Sequence, residues 1–195
     1  IFYKYLNPKQ CVKFYSSNKI LYYIYLKYNK FEDNYFTPKS ERELKLAVNE
    51  WCNNKVEAII KYNNISFWNT IYITEMDDLF SNKTHFNDNI SDWNTSNVRY
   101  MESMFEDALI FNQPIGNWNT SNVIDMSYMF VKAKYFNQPL NNWNVSNVEN
   151  MGAMFSNAIN FNQPLNNWNV SNVKYMSYMF HEASNFKQDL KSWQL

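Results

Sequence analysis

Tryptophan falls at positions 68, 93, 118, 143, 168 and 193, always at a step of 25 residues. Phe80, Phe105, Phe130, Phe155 and Phe180 keep the same step, as do Phe86, Phe111, Phe136, Phe161 and Phe186. Met76, Met101, Met126, Met151 and Met176 form a third column, and Leu79, Met104, Met129, Met154 and Met179 a fourth. Several columns in one register do not arise by chance. The segments 68–92, 93–117, 118–142, 143–167 and 168–192 are copies of one unit, and a sixth copy opens at Trp193. A unit this short cannot bury an apolar side by itself. It must stack on its neighbours, so that each column becomes a continuous ladder.

Two periods can be read inside a unit. Val148, Met151, Met154, Phe155 and Ala158 recur at steps of three and four, which predicts a short helix with one apolar stripe. Ser146 is placed to cap it, with Glu149 three residues on. Leu140, Trp143 and Val145 predict a short strand entered from Pro139, where a missing N–H does least harm. The expected fold is therefore an α/β repeat solenoid with one short strand and one short helix per 25-residue unit. Trp93, Trp118, Trp143 and Trp168, with the Met and Phe columns named above, are its expected core. Asn144, Asn147 and Asn162 are expected to point inward as ladders that satisfy corner backbone groups.

The run Trp143-Asn144-Val145-Ser146-Asn147-Val148, followed by Met151, Met154-Phe155, Ala158 and Phe161-Asn162-Gln163-Pro164-Leu165, resembles the units of BspA-like leucine-rich-repeat surface proteins. Such proteins occur on bacterial surfaces and in large DNA viruses and protists. The resemblance implies a leucine-rich-repeat-like solenoid that works in adhesion or protein recognition, at a cell surface or, for a viral protein, in the host cytoplasm. It names no ligand. The first unit departs from the pattern: Ile71, Tyr72 and Lys83 stand where other units have Ser, Asn and Ala. A terminal repeat that meets a cap is expected to be atypical.

Residues 37–67 have another texture. Ser40 and Glu43 can open a helix that carries Leu44, Ala47, Val48 and Trp51 on one face. Asn53-Asn54 interrupts it before a shorter helix with Val56, Ile59, Ile60 and Tyr62, and the pair predicts a helical N-terminal cap for the array. Residues 1–36 form a third segment. Tyr5–Phe14, with Asn7-Pro8 at a helix start, resembles the middle of an F-box, and the apolar run Ile20–Leu26 can pack on it. That resemblance implies the Skp adaptor of a cullin ubiquitin ligase as a partner, with the repeats as substrate receptor. The Leu-Pro start of an F-box is missing.

Composition narrows the function. Eighteen basic and 18 acidic residues leave no net charge, hence no field drawing the chain to nucleic acid. No apolar run reaches the ~18 residues of a membrane span, so no membrane insertion is expected. The first residue is Ile1, so the missing signal peptide says nothing about secretion. Cys11 and Cys52 lie far apart with no CxxC spacing and are expected as free thiols. His85 and His181 occupy unrelated positions, and Glu75, Asp77 and Asp78 lack the spacing of a calcium loop. With no phosphate loop or nucleophile motif either, the chain is read as non-enzymatic, with no catalytic, cofactor or metal site.

In a repeat array, specificity lives where the units differ. Those positions include Arg99, Ile124, Glu149 and Lys174; Tyr100, Asp125, Asn150 and Tyr175; and Ser103, Tyr128, Ala153 and Tyr178. Arg99, Tyr100, Tyr128, Lys174, Tyr175 and Tyr178 are the candidate contacts for a protein partner, since Tyr and Arg dominate interface hot spots. A glycan-binding surface built from exposed Tyr and Asn is a further alternative.

Overall fold

A computed structural model of the chain describes residues 35–193. The F-box-like segment and Cys11 lie outside them. Helix α1, Glu41–Asn53, begins at Ser40, whose side chain accepts from the Glu43 N–H. The Glu43 carboxylate reaches back to the Lys39 N–H at 2.7 Å, and the two contacts together fix the helix entry. Asn54 ends α1 and also caps helix α2, Lys55–Tyr62, by accepting from the Glu57 N–H. A short 3₁₀ turn, Ile65–Phe67, leads into the first repeat.

The buried face of α1 is Leu44, Ala47, Val48 and Trp51. Trp51 meets Trp68 edge-on at 5.8 Å, and its indole N–H donates to Asp88 of the first unit at 2.8 Å. Lys55 of α2 holds the same carboxylate at 2.6 Å. The helices thus cover the outer side of the first unit, whose apolar columns would otherwise face water. Cys52, on α1, is a half-buried free thiol that burial pushes up in pKa.

Within the repeats the backbone differs from the expected strand and helix. Neither forms among the described residues 68–193. The N–H groups of Met76, Asp78, Phe80 and Asn82 donate to the carbonyls of Tyr100, Glu102, Met104 and Glu106 in the next unit, at 2.8–2.9 Å. The residues between them bond locally: Leu79 to Met76, Ser81 to Asp78 and Lys83 to Phe80. The same alternation recurs in the following units, where Met126, Tyr128, Phe130 and Lys132 donate to Asn150, Gly152, Met154 and Ser156. A helix would direct every N–H four residues back along its own chain. Here every second donor leaves the unit, so a chain of tight turns replaces the helix. Tight turns also return side chains to one side every three or four residues, which is why the sequence shows a helix-like period.

These turns need left-handed backbone. In the central units it occurs at Ser103 and Asp107, Tyr128 and Lys132, and Ala153 and Asn157, with φ between 51 and 58°. No glycine occupies any of these sites, although the region costs an L-residue roughly 1–2 kcal/mol. Ala153→Gly should therefore stabilise the chain by about 1 kcal/mol, less the extra freedom glycine has when unfolded. A lowered urea midpoint for that variant would contradict the turn geometry.

Sheet-like pairing is reduced to one residue per unit. Glu75, Tyr100, Asp125, Asn150 and Tyr175 bridge in parallel, each to the next. The expected strand around Leu140–Val145 is instead a turn, closed by Trp143 N–H to the Leu140 carbonyl at 3.0 Å. Ser146 caps no helix; its N–H and hydroxyl both donate to the Asn144 side chain, at 3.1 and 2.7 Å.

Aromatic rings fill the interior. Phe80, Phe105, Phe130, Phe155 and Phe180 stack with centroids 5.4–5.6 Å apart and planes within 6°. The second Phe column runs beside it at 5.8–6.0 Å per step, and each Phe of one column also stacks on its partner in the same unit at 4.0–4.1 Å. Each Trp from 93 to 193 donates its indole N–H to a carbonyl of the preceding segment: Ile65, Ile90, Ile115, Leu140 and Leu165. Met101, Met126 and Met151 are fully buried, as are Phe105, Phe130 and Phe155, whereas Met176 and Phe180 in the fifth unit are only partly buried.

Candidate functional site

The constant Asn residues lie outside the core. Asn144 and Asn147 are exposed and Asn162 is half-buried. They serve the backbone from the surface. The Asn97, Asn122, Asn147 and Asn172 side chains donate to the carbonyls of Ile71, Ser96, Ser121 and Ser146 at 2.6–2.7 Å. Asn87, Asn112, Asn137 and Asn162 accept from the backbone N–H one unit on and are flanked by Gln113, Gln138, Gln163 and Gln188. An invariant polar residue can thus be structural without being inside.

The first of these Asn columns forms one side of an open groove of about 650 Å³ that crosses four units. Ile71, Tyr72, Thr74, Asn97, Arg99, Asn122, Ile124, Asn147 and Glu149 line it. Constant amides at one position face a variable column, Thr74, Arg99, Ile124 and Glu149, two residues further along each unit. At the first-unit end, the Thr74 N–H and hydroxyl donate to Glu41 at 3.3 and 2.9 Å. A hydrogen bond from its own backbone and those from Thr74 together hold Glu41 below the ordinary carboxylate range, against the opposing effect of burial. Lys39 lies 4.0 Å over the Tyr72 ring.

The candidate contact residues are not gathered at one place. Arg99 lines the groove, with its guanidinium 5.7 Å from the Tyr100 ring. Lys174 lies one unit past Glu149 and pairs with it at 2.8 Å, both side chains being exposed. Tyr128, Tyr175 and Tyr178 are well exposed but outside the groove lining. Tyr128 and Tyr178 sit at the left-handed position of their turns, so their column follows from backbone geometry. Tyr178 borders a separate, mostly apolar depression of about 460 Å³ beside Met179, Phe180, His181 and Trp193. Arg99, Ile124 and Glu149 stand out in the sequence as variable positions, whereas nothing there directly marks Tyr72, Thr74 and the amides of Asn97 and Asn122 as groove lining. The neighbouring variable column was the signal that could have found them.

Acidic groups edge the first turns. Burial, and then Glu75 and Asp78, raise the Asp77 carboxyl, although its side chain accepts from the Glu102 N–H at 2.8 Å. Burial also raises Glu102, followed by the charges of Asp125 and Asp77. A raised folded-state value means that stability is greatest when the group is protonated and is lost as pH rises through that value. Asp77→Asn keeps an acceptor for the Glu102 N–H and removes the half-buried charge. The variant should have a higher urea midpoint than the parent at pH 7, and the gap should close as pH falls through the carboxylate range. A gap that widens on acidification would contradict this.

No described helix is long and apolar enough to cross a membrane, and no group of three or more His, Cys, Asp or Glu among the described residues is placed to hold a metal. No curated protein and no solved structure matches the chain. The family described as "Mycoplasma protein of unknown function, DUF285" matches residues 50–155 and again residues 118–195, so the matches span the last turn of α1, all of α2 and every repeat. The chain belongs to this BspA-like repeat family.

Proposed function

We propose that the chain is a non-enzymatic recognition module, a leucine-rich-repeat-like solenoid closed at one end by α1 and α2, that binds a protein partner along its groove. One observation carries the reading. The groove sets a constant column, Asn97, Asn122 and Asn147, beside one that changes from Thr74 to Arg99, Ile124 and Glu149. The constant column is required by the backbone bonds it makes. In the variable column Thr74 bonds Glu41 of α1 and Glu149 makes an exposed pair with Lys174. The side chains of Arg99 and Ile124 line the open groove and are placed to specify a partner. Charged, polar and apolar groups in one row suit a heteropolymer such as a polypeptide better than a uniform ligand. No cofactor enters this reading.

The test is selection of a displayed random peptide library on the immobilised chain, beside a glycan array. Enriched peptides should lose binding to Ile124→Trp, which fills the groove from the variable column and leaves the Asn bonds in place. Glycan binding that Ile124→Trp abolishes, with no peptide enriched, would replace protein recognition by the carbohydrate alternative. The adaptor-binding alternative depends on residues 1–36 and is tested separately by pull-down of the Skp adaptor.

A further inference from the structure

We infer that the groove's partner is an α-helix lying along the stacking direction, with an acidic side chain opposite Arg99, an apolar one opposite Ile124 and a basic one opposite Glu149. This rests on the protein-recognition reading and specifies the partner's form. Arg99, Ile124 and Glu149 are equivalent positions in three successive units, so spacing decides what can match them. The advance per unit is about 4.8 Å where backbones bridge in parallel and 5.4–5.5 Å at the first Phe column. Arg99 and Glu149 are two units apart, a separation of roughly 10–11 Å on those advances.

A helix places residues i, i+4 and i+7 on one face, and i to i+7 spans about 10.5 Å. An extended strand offers same-face residues at about 6.7 and 13.4 Å, and both miss. The helical pattern is therefore acidic, apolar and basic at i, i+4 and i+7. An acid nearer the helix N-terminus and a base nearer its C-terminus also suit the helix dipole. Two further features fit. Asn97, Asn122 and Asn147 each use the side-chain N–H₂ on the stack, which leaves the amide oxygen to accept from hydroxyl or amide side chains flanking the helix. The Glu149–Lys174 pair is exposed on both sides, and pairs of that kind exchange partners at little cost.

The probe is a labelled, Ala-rich helical peptide carrying Glu, Leu and Lys at i, i+4 and i+7, read by fluorescence anisotropy against the full chain. Arg99→Glu should weaken its binding at least ten-fold. A second peptide with Glu at both charged positions should bind the parent poorly and gain at least ten-fold on Glu149→Lys. A version of the first peptide with a central Pro, which cannot stay helical, should not bind. Equal affinity for the Pro peptide, affinities that ignore both charge changes, or no binding by any of these peptides would each overturn the helical partner. Library peptides that bind the groove equally well with a central Pro would sink this inference and leave protein recognition standing.

Discussion

Trp143→Ala is expected to cost about 3–5 kcal/mol, among the largest losses any single truncation can cause in this chain. Trp143 is 2 % exposed, stacks on Trp118 at 6.4 Å with planes within 3°, and donates to the Ile115 carbonyl at 3.0 Å. Alanine would leave a cavity in the middle of the array and an unpaired buried carbonyl. Trp143→Phe separates the two effects: it keeps a ring in the stack and loses the hydrogen bond, for about 1–3 kcal/mol. Trp193 makes the equivalent contacts, with Trp168 at 6.2 Å and the Leu165 carbonyl at 3.0 Å, but is only partly buried. Trp193→Ala should cost roughly 1–2 kcal/mol. Equal losses at the two positions in urea melts would mean that burial does not follow place in the stack.

The second large effect is expected at the other end. Trp51→Ala should cost about 3–5 kcal/mol, because it removes the edge-on contact with Trp68 and the donor to Asp88 together. Each unit bonds chiefly to its neighbours, so the damage should be local. Amide exchange should quicken in α1 and the first unit and stay slow around Phe130 and Phe155. Uniform loss of protection from α1 to the fifth unit would contradict nearest-neighbour coupling.

Much of this was legible in the sequence, and the reason is physical. A residue repeated at a fixed step meets its own kind, so the Trp and Phe columns announce their stacking in the sequence itself. The face of α1 was legible for a related reason: Leu44, Ala47, Val48 and Trp51 follow the helical period, and nothing competes with it there. Backbone bonding inside the repeat was not legible. Steps of three and four from Val148 to Ala158 fit a helix and a run of tight turns equally well, because both turn the chain about once in that interval. What separates them is left-handed backbone at positions such as Ser103, Tyr128 and Ala153, and no glycine marks those sites. Asn147 misled for another reason. Its constancy reflects a bond to the Ser121 carbonyl, which a surface side chain can make as well as a buried one. The groove follows from that correction, since an outward amide column beside Arg99, Ile124 and Glu149 is a surface to bind with.

The central claim is that the units stack as separable modules coupled to their neighbours. Removing residues 168–195 tests it most directly, because four units and α1–α2 remain. Near-ultraviolet circular dichroism reads the stacked rings, and urea unfolding reads the size of the cooperative core. The stacked account predicts a retained aromatic signal, a lower urea midpoint and a smaller m-value, because one interface is gone and less surface is exposed on unfolding. A shortened chain with no aromatic signal and no cooperative transition, beside an intact chain that has both, would show a single indivisible core and contradict the account.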